Sequence, residues 1–431
     1  MDIVNIDGFK TASREHWRAI VEKELRGAAY EESLVGKFLN DLELDAYHDE
    51  ASLKELPYLV EEVQSAVKFM AAEKSGKAYE INASKPKAAN QIALAVLAQG
   101  IDSLIFDLRS AQQFEESILS GIDCSILSLG FGLKFSKFQN LGQDLPWKIL
   151  TGSRVYLEIN AGEVSSIQDL ISIFSELKSL AKGQDVELKL CIDFGNLAEF
   201  GANFSSQLAA VSIFYEDFLS QCKRDELAEA LVIGHAASPL FLPEIAKSRA
   251  LSCLCASALK QHVSKLDEFH PSGQKITFNP AFLGTTDPEN NLIRLSSYTM
   301  AAYACNPELI SLSQYKQDDK LSTHRVTANL CSIAEFESSL HHYVDPSAGS
   351  FYVESLTQAL IQKALERKTN WGLSSWAEFL NNPMLSEALE TEQDRLQQQF
   401  KNKEVEMIGE NLFPPQNKSE LEKIALRNSW K

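Results

Sequence analysis

The sequence predicts an α/β chain whose eight parallel strands close into a (β/α)8 TIM barrel, preceded by a helical arm and followed by a helical linker. Three observations carry this reading. From about Tyr79 onward, short β-branched or apolar runs alternate with helical stretches. The runs number eight, and they read as strands covered on both faces, as in a parallel barrel. With 431 residues and 45% apolar content, the chain is long enough to bury a core of that size.

The opening helix is signalled by Ser13 as a cap, by Trp17, Ile20, Val21 and Leu25 at three-to-four spacing, and by Gly27 as a stop. Such a stripe must be buried against something. Ser52 to Lys74 reads as an acidic helix. The strands are then expected at Tyr79 to Asn82, Ser103 to Leu108, Cys124 to Leu129, Val155 to Ile159, Val186 to Ile192, Ala230 to Gly234, Lys275 to Phe278 and Leu309 to Leu312. Helices are expected between them at Ala88 to Gly100, Ser166 to Lys182, Ser205 to Cys222, Leu242 to His262 and Asn290 to Cys305. Beyond Ser350 the chain turns helical to about Lys403, with Leu356, Leu360, Ile361 and Ala364 on one face. Met407 to Pro415 is punctuated like a linker, and a short helix-like piece starts at Ser419. The division is an arm over residues 1–50, a barrel over 51–395 and a linker or tail over 396–431.

A formal charge of −18 repels nucleic acid and anionic membranes over most of the surface, so neither is expected as a partner. No window approaches 18 consecutive apolar residues, and the acidic start lacks the basic region of a secretory signal, which places the protein in the cytoplasm. The seven cysteines sit mostly in apolar runs and read as free thiols; Cys253 and Cys255 have no second pair at finger-like spacing. His341 and His342, being adjacent, are expected on different sides of their element. Gly130-Phe-Gly132 offers two glycines after a strand but no third, so it is no dinucleotide loop. No P-loop, HExxH or GxSxG occurs. Glu268-Phe-His270-Pro-Ser-Gly273 lacks the acid spacing of a cobalt-ligating Asp-x-His-x-x-Gly and reads as a helix-to-strand loop.

Several segments have a local structural reading. Glu244, Lys247 and Arg249 share one helix at ion-pair spacing. Asp287 is placed as a helix N-cap with Pro288 at the first helical position. Asp345-Pro346 and Gly349 are turn chemistry, Gly349 supplying a positive φ.

Taken together and in order, these segments resemble the acyl-CoA mutases of the methylmalonyl-CoA mutase family. Trp17 to Gly27 with Leu42 to Tyr47 is similar to the arm by which mutase subunits embrace one another. Pro243-Glu-Ile-Ala-Lys-Ser-Arg-Ala-Leu251, Thr286-Asp287-Pro288-Glu289-Asn290-Asn291 to Arg294, and Arg325-Val-Thr-Ala-Asn329 leading into Asp345, Gly349, Ser350, Tyr352, Glu354 and Thr357 resemble three further family signatures. Ile408-Gly409-Glu410-Asn411 looks like the motif that leaves the barrel.

The resemblance also implies what is missing. Where active members carry G-Y-H-M-Q-E-A-G-A, with the His donating to the thioester carbonyl, this chain has Phe194-Gly195-Asn196-Leu197-Ala198-Glu199-Phe200-Gly201-Ala202, so that Gly195-Asn196 replaces the Tyr-His pair and Ala198 the Gln. Thr286 stands for a Gln, Leu56-Pro57-Tyr58 has no neighbouring Arg cluster for phosphates, and Ser311 to Asp319 lacks the adenosyl-ribose contacts. Asn196, Ala198, Glu244, Lys247, Thr286, Asp287 and Asn290 therefore mark a degenerate pocket, with no catalytic, cofactor or metal residue assigned. The implied protein is the small, noncatalytic subunit of a heterodimeric mutase, without a cobalamin domain of its own. Adenosylcobalamin and the isomerisation of methylmalonyl-CoA to succinyl-CoA are then expected in a catalytic large subunit. The alternatives are a catalytic barrel served by a separate cobalamin chain, and a barrel that still holds an acyl-CoA.

Overall fold

The computed structural model describes residues 13–38, 42–54, 75–111, 113–222, 225–262, 273–318, 320–343 and 345–431. The predicted helix beyond Lys54, with Tyr58, and the Glu268 to His270 segment lie outside the described residues. The arm begins with a helix over Arg14–Glu24, whose cap is Ser13, its hydroxyl accepting from His16 N at 3.2 Å. It continues through a short hairpin of β1 (Gly36–Phe38) and β2 (Leu42–Leu44). Trp17 stacks on Tyr47 at 4.8 Å, but no residue of the helix is buried and Ile20 is 46% exposed.

The eight barrel strands are β3 (Gly76–Asn82), β4 (Ser103–Asp107), β5 (Ser128–Leu133), β6 (Arg154–Asn160), β7 (Glu187–Asp193), β8 (Leu231–Ala237), β9 (Gly273–Phe278) and β10 (Leu309–Leu312). Each pairs in parallel with the next, and β10 closes on β3 with Leu309 opposite Gly76. Because side chains alternate along a strand, one set faces the helices and the other the lumen. Ala78, Ile105, Tyr156, Cys191, Val232 and Leu309 form a small apolar layer inside, separate from the large core between strands and helices.

The third strand differs from its expected place at Cys124 to Leu129. Cys124–Ile126 is a single 3-10 turn, and the strand runs Ser128–Leu133 through both glycines. The lumen explains it. A Cβ on Gly130 would lie 2.8 Å from Ile105 Cγ1, and one on Gly132 would lie 3.2 Å from the Arg109 guanidinium, so β5 is stripped of side chains where its neighbours fill the barrel.

After the barrel, helices over Phe351–Trp371, Trp376–Asn381 and Pro383–Lys401 close one side, with Trp376 stacked on Phe379 at 4.6 Å. The segment beyond them is docked. Arg427 N donates to Glu199 O, Gln397 donates to Ile424 O, Lys418 donates to Thr286 O, and Trp430 packs edge-on against Phe379. The Glu199 and Thr286 contacts fall on segments that follow β7 and β9, at the barrel's C-terminal end, while Gln397 and Phe379 lie on the helices after the barrel. No helix forms from Ser419 onward. His341 and His342 lie in one 3-10 turn with rings 3.8 Å apart, on the same side rather than opposite ones. No helix among the described residues is long and apolar enough to cross a membrane.

Candidate functional site

In parallel barrels ligands meet the strands' C-terminal ends; of the candidate pocket residues, Ala198 and Glu244 line one small cavity, while Thr286, Asp287 and Asn290 gather at a separate turn with Glu410. Their polar atoms, however, are turned mainly on one another. Glu244, buried in the first turn of the helix Phe241–His262, accepts from Ser238 N and Ser238 Oγ, both at 2.7 Å. Its other oxygen lies 2.6 Å from Lys247 Nζ, which also donates to Ala236 O and sits over the Phe204 ring. Arg249 leaves this pair and reaches Glu354, one guanidinium nitrogen 2.7 Å from both carboxylate oxygens, and also Asp345. Two signatures a hundred residues apart are thus fastened by a forked charge-assisted contact.

The turn chemistry around that clasp is as expected. Gly349 has φ 81° and donates to Glu354 Oε1, Ser350 caps the Phe351–Trp371 helix, and Tyr352 meets His48 of the arm edge-on at 5.6 Å. The Asp287 cap is a correction: the helix begins at Asn290, with Glu289 at the cap position. Glu410 draws the turn away from helical geometry by accepting from Thr286 N at 2.8 Å and Asp287 N at 3.3 Å, while Asp287 Oδ2 accepts from Asn290. Gly409, at φ 82°, lets this happen, since a Cβ there would fall 2.8 Å from Asn290 Nδ2.

Ala198 is buried, and its carbonyl accepts from Asn279. Together with Glu244, Phe204, Ser238 and Asn279 it encloses a cavity of about 20 Å³. That admits a water and nothing larger. Asn196 is 4% exposed, and its Nδ2 has no acceptor among the described residues.

Sequence reasoning missed the group that fills the upper lumen. Two residues beyond Ala78, Tyr156 and Cys191 of the apolar layer stand Glu80, Glu158 and Asp193, and Lys275 faces them from β9. Lys275 Nζ is 2.6 Å from Glu158 Oε2 and 2.9 Å from Glu80 Oε1, while Arg109 holds the other Glu158 oxygen at 2.9 Å. Burial opposes the charge on Lys275, but Glu158 and Glu80 outweigh it and hold the ammonium well above its usual value. Glu158 is lowered despite burial, by Lys275 and then Arg109. Asp193 is raised to about 6, first by burial and then by the field of Glu158. The signal was legible in part: Glu80, Glu158 and Asp193 share the strand parity of the lumen layer, whereas Lys77, of the opposite parity on β3, points outward and pairs with Glu335. Among the described residues no group of His, Cys, Asp or Glu is placed to hold a metal ion.

The sequence profile described as methylmalonyl-CoA mutase matches residues 199–429. The chain belongs to the methylmalonyl-CoA mutase family. It is 20% identical over 396 residues to the methylmalonyl-CoA mutase small subunit of Porphyromonas gingivalis, covering 83% of this chain and 62% of that one. It is 25% identical over 215 residues to the methylmalonyl-CoA mutase of Rhizobium meliloti, covering 48% of this chain and 29% of that one. Against the probable mitochondrial methylmalonyl-CoA mutase of Caenorhabditis elegans it is 30% identical over 145 residues, 33% of this chain and 20% of that one. The chain therefore spans less than two thirds of the length of these relatives.

Proposed function

We propose that this chain is the small, noncatalytic subunit of a heterodimeric methylmalonyl-CoA mutase of the cytoplasm, supporting a catalytic subunit in which adenosylcobalamin and the isomerisation reside. The observation that carries the reading is the filled lumen. A thioester held for chemistry at a barrel mouth needs a channel and unpaired polar donors. Here Lys275, Glu158 and Arg109 are paired with one another inside the barrel, leaving only Arg109 Nε of this group without a partner among the described residues, and the space beside Ala198 and Glu244 has room for one water. These residues do not fit an acyl-CoA or a corrin edge, so no catalytic step is assigned to them. The stripe of the arm helix, which the described residues cover only in part, supports an obligate partner, and seven free thiols suit a reducing compartment. The small-subunit name carried by the Porphyromonas gingivalis relative agrees with this reading.

A second reading, a catalytic barrel served by a separate cobalamin chain, keeps one observation in its favour. The unpaired Nδ2 of Asn196 stands where the family places its carbonyl-binding His. Co-purification decides between them: the chain is expressed with and without a catalytic mutase subunit, and methylmalonyl-CoA isomerisation is assayed with adenosylcobalamin. Activity is expected only with the partner, unchanged by Asn196→Ala. Turnover by this chain with a small cobalamin protein alone would overturn the proposal.

A further inference from the structure

Away from the small cavity beside Ala198, a groove of about 380 Å³ lies between Leu240, Phe282, Ile293, Arg294, Val405 and Met407. Two of its walls are segments that follow β8 and β9, and the third follows the helix Pro383–Lys401. Its surroundings are apolar although they face water. Ile293 is 71% exposed and Ile408 is 50% exposed, while Phe241 and Leu242, next in the chain after Leu240, are 38% and 39% exposed. Single apolar side chains on a surface need no explanation, but a group of them around a groove marks a face that another molecule covers.

Charge decides which molecule. The cation in the groove, Arg294, is already engaged: Nη1 donates to Asn291 Oδ1 at 2.7 Å, Nη2 donates to Ile408 O at 2.5 Å, and Glu410 and Asp287 lie in its field. The start of the helix Asn290–Cys305 is likewise met by Asp287, which accepts from Asn290. Nearby, Glu289 is paired with Lys316 and Lys403 with Glu420. Left over on the groove wall are Glu404 and Glu406, both exposed and in no ion pair among the described residues. A nucleic acid or an anionic membrane would meet these carboxylates and the −18 charge of the chain, and so would a second copy of the chain. A segment of a different protein, with an apolar anchor framed by basic side chains, satisfies the apolar lips and the free acids together.

We propose that this face docks a partner protein through a segment that lays an apolar side chain in the groove and lysine or arginine side chains against Glu404 and Glu406. The surface is separate from the degenerate barrel pocket and does not rest on the subunit role proposed above. Fluorescence polarisation of labelled heptapeptides with the full chain tests it: Lys-Lys-Leu-Phe-Leu-Lys-Lys, a counterpart flanked by Glu, and a counterpart with a Ser core. The basic apolar peptide is expected to bind saturably with a Kd below about 1 mM, the Ser-core peptide about tenfold more weakly and the Glu-flanked peptide not at all. Ile293→Ser, and Glu404→Lys combined with Glu406→Lys, change exposed side chains and are each expected to weaken the basic apolar peptide by about tenfold, with far-ultraviolet dichroism unchanged. A chain of charge −18 attracts cations everywhere, so Glu115→Lys with Glu116→Lys, the same charge change at exposed positions after β4, is the control and is expected to bind as the parent does. Absence of saturable binding, a Glu-flanked peptide that binds as tightly, a groove variant that binds unchanged, or a control that loses as much as the Glu404 and Glu406 variant would each overturn the proposal.

Discussion

Lys275 is 1% exposed in its side chain, and its ammonium is the shared counter-ion of Glu158 and Glu80. A buried ion pair adds little over an apolar filling, but a broken one leaves a desolvated charge behind. Lys275→Met is therefore expected to cost about 3–5 kcal/mol in urea unfolding. Lys275→Met with Glu158→Gln should recover part of that loss, because the amide keeps an acceptor for Arg109 and removes the stranded charge. A single variant no less stable than the parent would show that the lumen is open to water. None of these four side chains was singled out from the sequence, where each reads as one charge inside an apolar run. Only the period-two alternation within a closed barrel says that they meet.

At the scale of elements, the motifs that identify the family are fasteners in this chain. Arg249 with Glu354 ties the sixth crossover helix to the helix that follows the barrel, and Glu410 with Gly409 ties the tail to the Asp287 turn. Gly409→Ala must place a Cβ at φ 82° and within 2.9 Å of Asp287 Cβ, so it is expected to destabilise tail docking by about 1–3 kcal/mol. Limited proteolysis should then cut the tail faster than in the parent while far-ultraviolet dichroism stays unchanged; equal cutting rates would show the clasp to be dispensable. Strand and helix positions were mostly legible because apolar runs and caps are local signals, as at Ser13 and Ser166. The third strand and the Asp287 cap were not, since Gly130 and Gly132 read as lying after a strand until Ile105 and Arg109 are known to need their space. Likewise, Asp-Pro looks like a helix start until Glu410 arrives from 123 residues away.

For the molecule as a whole, the unequal burial of its parts is informative. The barrel and its following helices form one continuous core, and the tail docks on it through Ile424 and Trp430, which are 4% and 5% exposed. The arm helix has no fully buried residue among the described ones, yet it carries Trp17, Ile20 and Val21 on one stripe, with Trp17 and Val21 half-buried and Ile20 exposed, and an acid-base pair of Arg18 with Glu22 on its flank. An amphipathic helix gains most of its stability from packing, so in the assembled protein the part of the stripe that the described residues leave exposed is expected to lie against the partner subunit. Removing the chain up to Leu34 should then change the stability of the isolated protein by no more than about 1 kcal/mol, while abolishing co-purification with the catalytic subunit. The two readouts separate the alternatives. If the truncated chain unfolds, the arm belongs to this subunit's own core; if it stays folded and still binds, the interface lies on the barrel, and the stripe faces something other than the catalytic subunit.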